Sequence, residues 1–458
     1  MAKLVWEKNI KITAADIPQL TEEISFQFKF NQPIGPNILP NSMKSIVFGW
    51  RFNRAIGPNI LPDSLRSIKF GHDFNKPIGP DILPNSLKSI VFGQGFNRSI
   101  GSNILPNSLK SIIFGSAFNQ TIGPSYLPNS LKFIEFGHDF NKPIRPDVLP
   151  NSLKSIEFGH DFNREIGPNI LPNSLKSIEF GWAFNQTIGP HYLSNSLESI
   201  EFGHDFNKPI GPNVLPNSLK SIVFGWRFNR WIGPGVLPDS LKSIVFMHDF
   251  NQQIGENVLP KSLKFIKFGC EFNQPIGANI LPDSLNYVDF GRAFNHPIGE
   301  NTLPKCLETV KTGYCFSQSN GPNTLPDSLK HVEYTYAFNQ PMSPLYHLNN
   351  LEHLSITIRE STYIDIDLLS PSLKYLSITD SDLIVSLNAE SQRMWFSVIY
   401  WYPDKLLDVT YPILWRSICP RGCGYEVIGT ETIGGEEYNV LVNPEFYQPR
   451  SNAKSARK

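Results

Sequence analysis

Along most of the chain the apolar positions follow one short pattern, L-x-x-I-x-F, as in Leu87, Ile90 and Phe92. The isoleucine and phenylalanine alternate with small or polar neighbours. A period of two over so few residues predicts a short strand with one buried face. Four residues later comes a second phenylalanine, at 30, 52, 74, 96, 118, 140, 162, 184, 206, 228, 250, 272, 294, 316 and 338. The residue after it is asparagine in every copy except Ser317, and the spacing is 22 throughout. Identical spacing predicts identical backbone, so each unit is expected to be one turn of a solenoid.

Weaker copies extend the array. Ile24 and Phe26 stand one period before Ile46 and Phe48, and Leu351, Leu354, Ile356 and then Leu373, Leu376, Ile378 keep the register. This predicts about 17 coils over residues 17–378, with a lead or cap at 1–16. Residues 379–458 lack the register and are expected to form a C-terminal cap or small module, ending in a basic disordered tail from about 450. The other half of each unit, Pro77 to Ser86, carries three prolines and a glycine. A helix there would cost about 3 kcal/mol per interior proline, so that side should be extended or turn-like. The expected fold is a β-rich solenoid of leucine-rich-repeat type, with short parallel strands and a non-helical opposite side. Each coil offers six apolar anchors, such as Leu83, Leu87, Ile90, Phe92, Phe96 and Ile100, which only neighbouring coils can cover.

An asparagine directly after a core phenylalanine is expected to be buried and to need amide partners, which backbone groups of the next coil can supply. Phe74, Asn75, Phe96, Asn97, Phe162 and Asn163 are representative rungs of this structural ladder. Asn97, Asn119 and Asn185 head N-x-S/T sequons, yet as ladder members they should be inaccessible to glycosylation. An intracellular, cytoplasmic location is therefore expected, in a host cell if the protein is viral.

The Phe-Asn-x-Pro-Ile core resembles the FNIP repeat. It reads FNQPI at Phe30 to Ile34, and FNKPI at Phe74 to Ile78, Phe140 to Ile144 and Phe206 to Ile210. The resemblance implies a leucine-rich-repeat relative of the kind found in amoebae and in large DNA viruses that infect them. Some relatives carry an F-box ahead of the repeats and bring targets to a ubiquitin ligase. Here about 16 residues precede the first repeat, too few for an N-terminal F-box. A ligase adaptor is then an alternative only if the C-terminal region makes the contact.

Composition narrows the function. Lys plus Arg and Asp plus Glu are both 41, so the total charge gives no general attraction to nucleic acid or anionic membranes. No apolar run is long enough to span a membrane. Five cysteines do not make a disulfide framework. Cys419 and Cys423 form a CPRGC element that lacks enough nearby ligands for zinc, so neither metal nor cofactor is expected. Phosphate-loop, HExxH and GxSxG motifs are absent. His-Asp dipeptides recur at His72, His138, His160, His204 and His248, but a pattern repeated in one column reads as a copied surface. No catalytic residue is assigned.

Function is therefore sought where columns vary. On one strand the outward positions are expected to be Ser155, Glu157 and Gly159, leaving a flat, nearly bare face with one varied column. That column reads Val47, Lys69, Val91, Ile113, then Glu135, Glu157, Glu179, Glu201, then Val223, Val245, Lys267, Asp289. The four glutamates, with Trp182, Trp226 and Trp231 as aromatic anchors, are the candidate surface for a basic protein partner; the bland alternative is recent duplication of one unit. A second column, Lys44, Arg66, Lys88, Lys110, Lys132, Lys154 and Lys176, followed by Lys220, Lys242 and Lys264 after Glu198, makes nucleic-acid backbone a minor alternative. The reading is a non-catalytic protein-interaction scaffold.

Overall fold

In the middle of the array three outward-inward-outward residues are all that a coil commits to regular structure. The computed structural model describes residues 2–319, 321, 324–334, 343–357, 364–365, 369–379, 385–386, 395–399, 426–433 and 436–442. It comprises two compact units, Met1–Gly291 and Arg292–Lys458. The N-terminal unit is a parallel β-solenoid. After β1 (Lys3–Trp6) and β2 (Glu23–Phe26) come the three-residue strands β3 (Ser45–Val47) through β14 (Tyr287–Asp289). Neighbouring strands pair one period apart, for example Ser89 with Ser111, Ile90 with Ile112 and Val91 with Ile113. The parallel pairing also reaches into the first 16 residues, because Leu4 of β1 pairs with Ile24 over a coil two residues shorter than the rest.

The six anchors of the representative coil, Leu83, Leu87, Ile90, Phe92, Phe96 and Ile100, are all buried. The two phenylalanine columns form continuous stacks. Phe92 and Phe96 have ring centroids 4.0 Å apart within the coil, and Phe96 lies 6.0 Å from Phe74 of the coil before. One coil alone would leave these rings in water; burial comes from the coil on either side.

Polar ladders fasten the turns between the apolar columns. The backbone N–H of Asn75, Asn97 and Asn163 donates to the side-chain oxygen of the asparagine one coil earlier, at 3.0–3.1 Å. These asparagines are half-buried rather than fully buried, since the amide group stands at the edge of the stack. A serine ladder, which the sequence pattern did not single out, runs beside it. Ser86, Ser108, Ser130 and Ser152 each donate to a leucine carbonyl of the preceding coil at 2.5 Å.

The proline-rich side turns the chain without a helix. Among the described residues the only helical segments are two single 3-10 turns, at Ala14–Asp16 and Ser343–Leu345. The bend is made by a residue in the left-handed region after the Gly-Pro step, as at Asn37, Asn59, Asp81 and Asn169, with φ of 58–60°. Asparagine and aspartate tolerate that conformation better than other non-glycine residues, which explains a second Asn/Asp column.

Glycine makes the other close approach. A Cβ on Gly159 would lie 1.7 Å from the carbonyl oxygen of Gly137, and Gly137 and Gly181 are as tight against their predecessors. These glycines are buried. The expectation of an open glycine column on the strand face is corrected accordingly: the face ends at the glutamate column, and the chain there dives against the backbone of the coil before.

In the C-terminal unit β15 (Thr309–Thr312), β16 (His331–Tyr334) and β17 (His353–Thr357) pair in parallel and in register. β17 pairs with β19 (Tyr375–Thr379), and β19 with β21 (Trp395–Ile399) in a coil two residues shorter. Between them β18 (Ile364–Asp365) and β20 (Val385–Ser386) form a second short parallel pair. An antiparallel hairpin, β22 (Glu426–Ile433) and β23 (Glu436–Val442), follows. Trp395 and Phe396 belong to β21. The other aromatic residues singled out in this region, Tyr400, Trp401, Tyr402, Tyr411 and Trp415, lie outside the described residues, as do Cys419, Cys423 and the basic tail.

Candidate interaction groove

The four glutamates close consecutive strands: β7 (Phe133–Glu135), β8 (Ser155–Glu157), β9 (Ser177–Glu179) and β10 (Ser199–Glu201). Glu135 pairs with Glu157, Glu157 with Glu179, and Glu179 with Glu201 across the sheet, so each carboxylate stands one rung from the next. That rung is about 4.8 Å. Glu135 and Glu157 are half-buried, and Glu179 and Glu201 are exposed. Desolvation first, and the neighbouring carboxylates second, push the carboxyls of Glu135, Glu157 and Glu201 above the ordinary glutamate value.

Elsewhere the same column carries the isolated Lys69, is neutral at Val47, Val91, Ile113, Val223 and Val245, and pairs its remaining charges with one another. Lys267 and Asp289 face one another at 3.7 Å, and Lys311 and Glu333 of the C-terminal unit at 2.6 Å. In the lysine column, Glu198 takes ion pairs from Lys176 at 2.7 Å and Lys220 at 2.5 Å, and these two ammonium groups hold its carboxyl down at about 2. Among the described residues none of Glu135, Glu157, Glu179 and Glu201 has such a partner.

Three residues beyond each glutamate, after the buried Phe-Gly step, stands a column of rings. His138, His160, Trp182, His204, Trp226 and His248 are spaced by one period and stack in series, with centroids 4.3, 5.5, 3.9, 5.7 and 4.5 Å apart. The histidine Nδ1 atoms lie 2.7–2.9 Å from the carboxylate of the following aspartate, as in His138–Asp139 and His160–Asp161. Trp182 and Trp226 are about half exposed, at 50% and 46%. Between the glutamate and ring columns runs a groove of about 290 Å³ lined by Glu135, Glu157, Glu179, His138 and His160, with Ser116 at one end.

The structure thus gathers Glu135, Glu157 and Glu179 at one groove, continues the strip to Glu201, and sets Trp182 and Trp226 in the ring column beside it. Trp231 belongs to neither row. It follows the asparagine ladder and lies over Gly233, where a Cβ would come within 2.6 Å of its ring. The histidines, read from the sequence as a copied surface, are the residues that sequence reasoning left out of the candidate site. The His-Asp dipeptides and the tryptophans were read separately, although 138, 160, 182, 204, 226 and 248 share the 22-residue spacing.

These features define the class: a repeat solenoid of leucine-rich-repeat type, built from stacked coils of parallel strands. A family model for the FNIP repeat matches successive stretches of two coils, from residues 30–73, 74–117, 118–161 and 162–205 through to 294–336. The chain belongs to the FNIP repeat family. Among solved structures, CroV588, described as a circular leucine-rich-repeat protein, is similar at 38% identity and a TM-score of 0.75 over 88% of this chain. The match covers 66% of CroV588's own length, just under two thirds. The Toll–Spatzle complex of Drosophila, in its glycosylated form, aligns with 93% of this chain and 66% of its own at 12% identity and a TM-score of 0.46, too remote to bear on function. No curated protein matches the chain in sequence. Among the described residues no helix is long and apolar enough to cross a membrane.

Proposed function

We propose that the protein is a non-catalytic interaction scaffold that uses the strip from Glu135 to Glu201, with the ring column containing Trp182 and Trp226, to hold a basic segment of a protein partner. The observation that supports this reading most is the uncompensated charge of the strip. Four adjacent carboxylates carry a folding cost, contribute nothing to the core, and have no ion pair among the described residues, although the chain neutralises Glu198 and Asp289 in similar surroundings. A lysine- or arginine-rich segment would relieve that repulsion on binding, while half-exposed tryptophans supply apolar area beside it.

The double change Glu157→Lys and Glu179→Lys tests the reading. Exposed and half-exposed charge changes should leave the melting temperature unchanged or slightly raised. Binding of an arginine-rich peptide, measured at low salt, should fall by about tenfold or more, and the difference between variant and parent should shrink as salt rises. Unchanged affinity at low salt would mean that the strip is a relic of unit duplication.

A further inference from the structure

The register of the ring column holds five histidines, the four of the stack and His72 further up the chain, each with Nδ1 against its own aspartate, but they do not have equivalent neighbours. His72 stacks on Trp50, His204 on Trp182 and His248 on Trp226. Only His138 and His160 place two aspartate-oriented imidazoles on consecutive coils, with centroids 4.3 Å apart and the planes 8° from parallel. One nitrogen from each ring and a carboxylate oxygen of Asp161 all lie within 4.8 Å of one another. Among the described residues no other three histidine, cysteine or acidic side chains do so. The other stacked imidazole pair, His331 and His353, therefore lacks a third donor in reach.

We propose that His138, His160 and Asp161 form a binding site for a divalent transition-metal ion of the zinc class. Two imidazoles and a carboxylate are a zinc donor set that leaves a fourth position open. Bonds of about 2.0–2.1 Å put tetrahedral ligand atoms roughly 3.3 Å apart, so separations of up to 4.8 Å have at most about 1.5 Å to close. All three are exposed side chains on a rigid backbone, free to make that movement by rotation about χ1 and χ2. Asp139 already orients the His138 ring, as a carboxylate behind a metal-binding histidine does, whereas Asp161 would exchange its contact with His160 Nδ1 for the ion.

A second, independent feature favours a cation at this position. The wall facing His138 and His160 across the groove is Glu135, Glu157 and Glu179, three carboxylates without a lysine or arginine partner among the described residues. A dication entering the groove meets a negative field and has no lysine or arginine to displace from these glutamates. Calcium and magnesium, which take oxygen donors, gain nothing from the imidazoles. The proposal does not depend on a protein partner, and either can fail alone.

The experiment is calorimetric titration of the full chain with Zn²⁺, supported by the visible spectrum of Co²⁺ as a probe of tetrahedral nitrogen and oxygen ligation. The expected result is one saturable site per chain that an excess of Ca²⁺ or Mg²⁺ does not displace. His138→Ala, His160→Ala and Asp161→Asn should each weaken it at least tenfold, while Asp139→Asn should weaken it less. His204→Ala and His248→Ala, which remove the same dipeptide beside a tryptophan, should bind as the parent does. Melting curves without metal should coincide for all variants, showing that each is folded. No saturable binding, equal binding by the double variant His138→Ala/His160→Ala, or equal losses at His204 would each overturn the assignment.

Discussion

Gly159 has no room for a side chain, and the reason lies 22 residues earlier. The Gly137 carbonyl oxygen occupies the place of a Cβ, so Gly159→Ala must push two coils apart. We expect a loss of about 3 kcal/mol or more, an overpacking cost in a stack that cannot yield locally. Phe162→Ala, which empties the centre of the ring stack, should cost about 3–5 kcal/mol. Asn163→Ala, which leaves the Asn185 N–H without its acceptor, should cost about 1–3 kcal/mol. Thermal melts should rank all three far above Lys154→Ala, on the exposed surface. The left-handed column offers a gain. Ser125 and His191 hold φ of 63° and 65° where most coils have asparagine or aspartate. Ser125→Asn and His191→Asn should each stabilise by a few tenths to about 1 kcal/mol.

At the scale of the strand, the glutamate strip links packing to pH. The carboxyls of Glu135 and Glu157 are raised, so the folded state holds their protons more tightly than the unfolded chain does. Stability from this source is greatest below the ordinary value of 4.5 and is lost as pH rises through the raised values. The variant Glu135→Gln/Glu157→Gln should therefore melt higher than the parent at pH 7 and at nearly the same temperature at pH 4. A constant difference at both pH values would show that neither desolvation nor the neighbouring carboxylates penalise these charges in the fold. The strands themselves are short because the next residues are buried phenylalanine and then glycine pressed against backbone. L-x-x-I-x-F contains the first half of that statement. The second half, that glycine marks contact with the preceding coil rather than a bare surface, needed the coil in place.

At the scale of the N-terminal unit, every coil is held by its immediate neighbours, so damage should stay local. Phe162 stacks on Phe140, Phe158 and Phe184, so hydrogen exchange after Phe162→Ala should lose protection around β7, β8 and β9 while β2 and β3 keep theirs, as expected for a chain of nearest-neighbour interfaces. Uniform loss over all strands would mean a single cooperative core. The sequence determined the solenoid itself: the period, the strand register, the six anchors of each coil, the non-helical proline side and the family. Each of those follows from residue type repeated at a fixed spacing, and fixed spacing is a one-dimensional property. The tertiary structure alone decided how the columns lie beside one another. It buried the glycines, exposed the histidines and tryptophans as one stack, separated Trp231 from Trp182 and Trp226, and set two imidazoles opposite three unpaired glutamates. Those facts depend on the direction in which the backbone leaves each strand, which a column of letters does not contain.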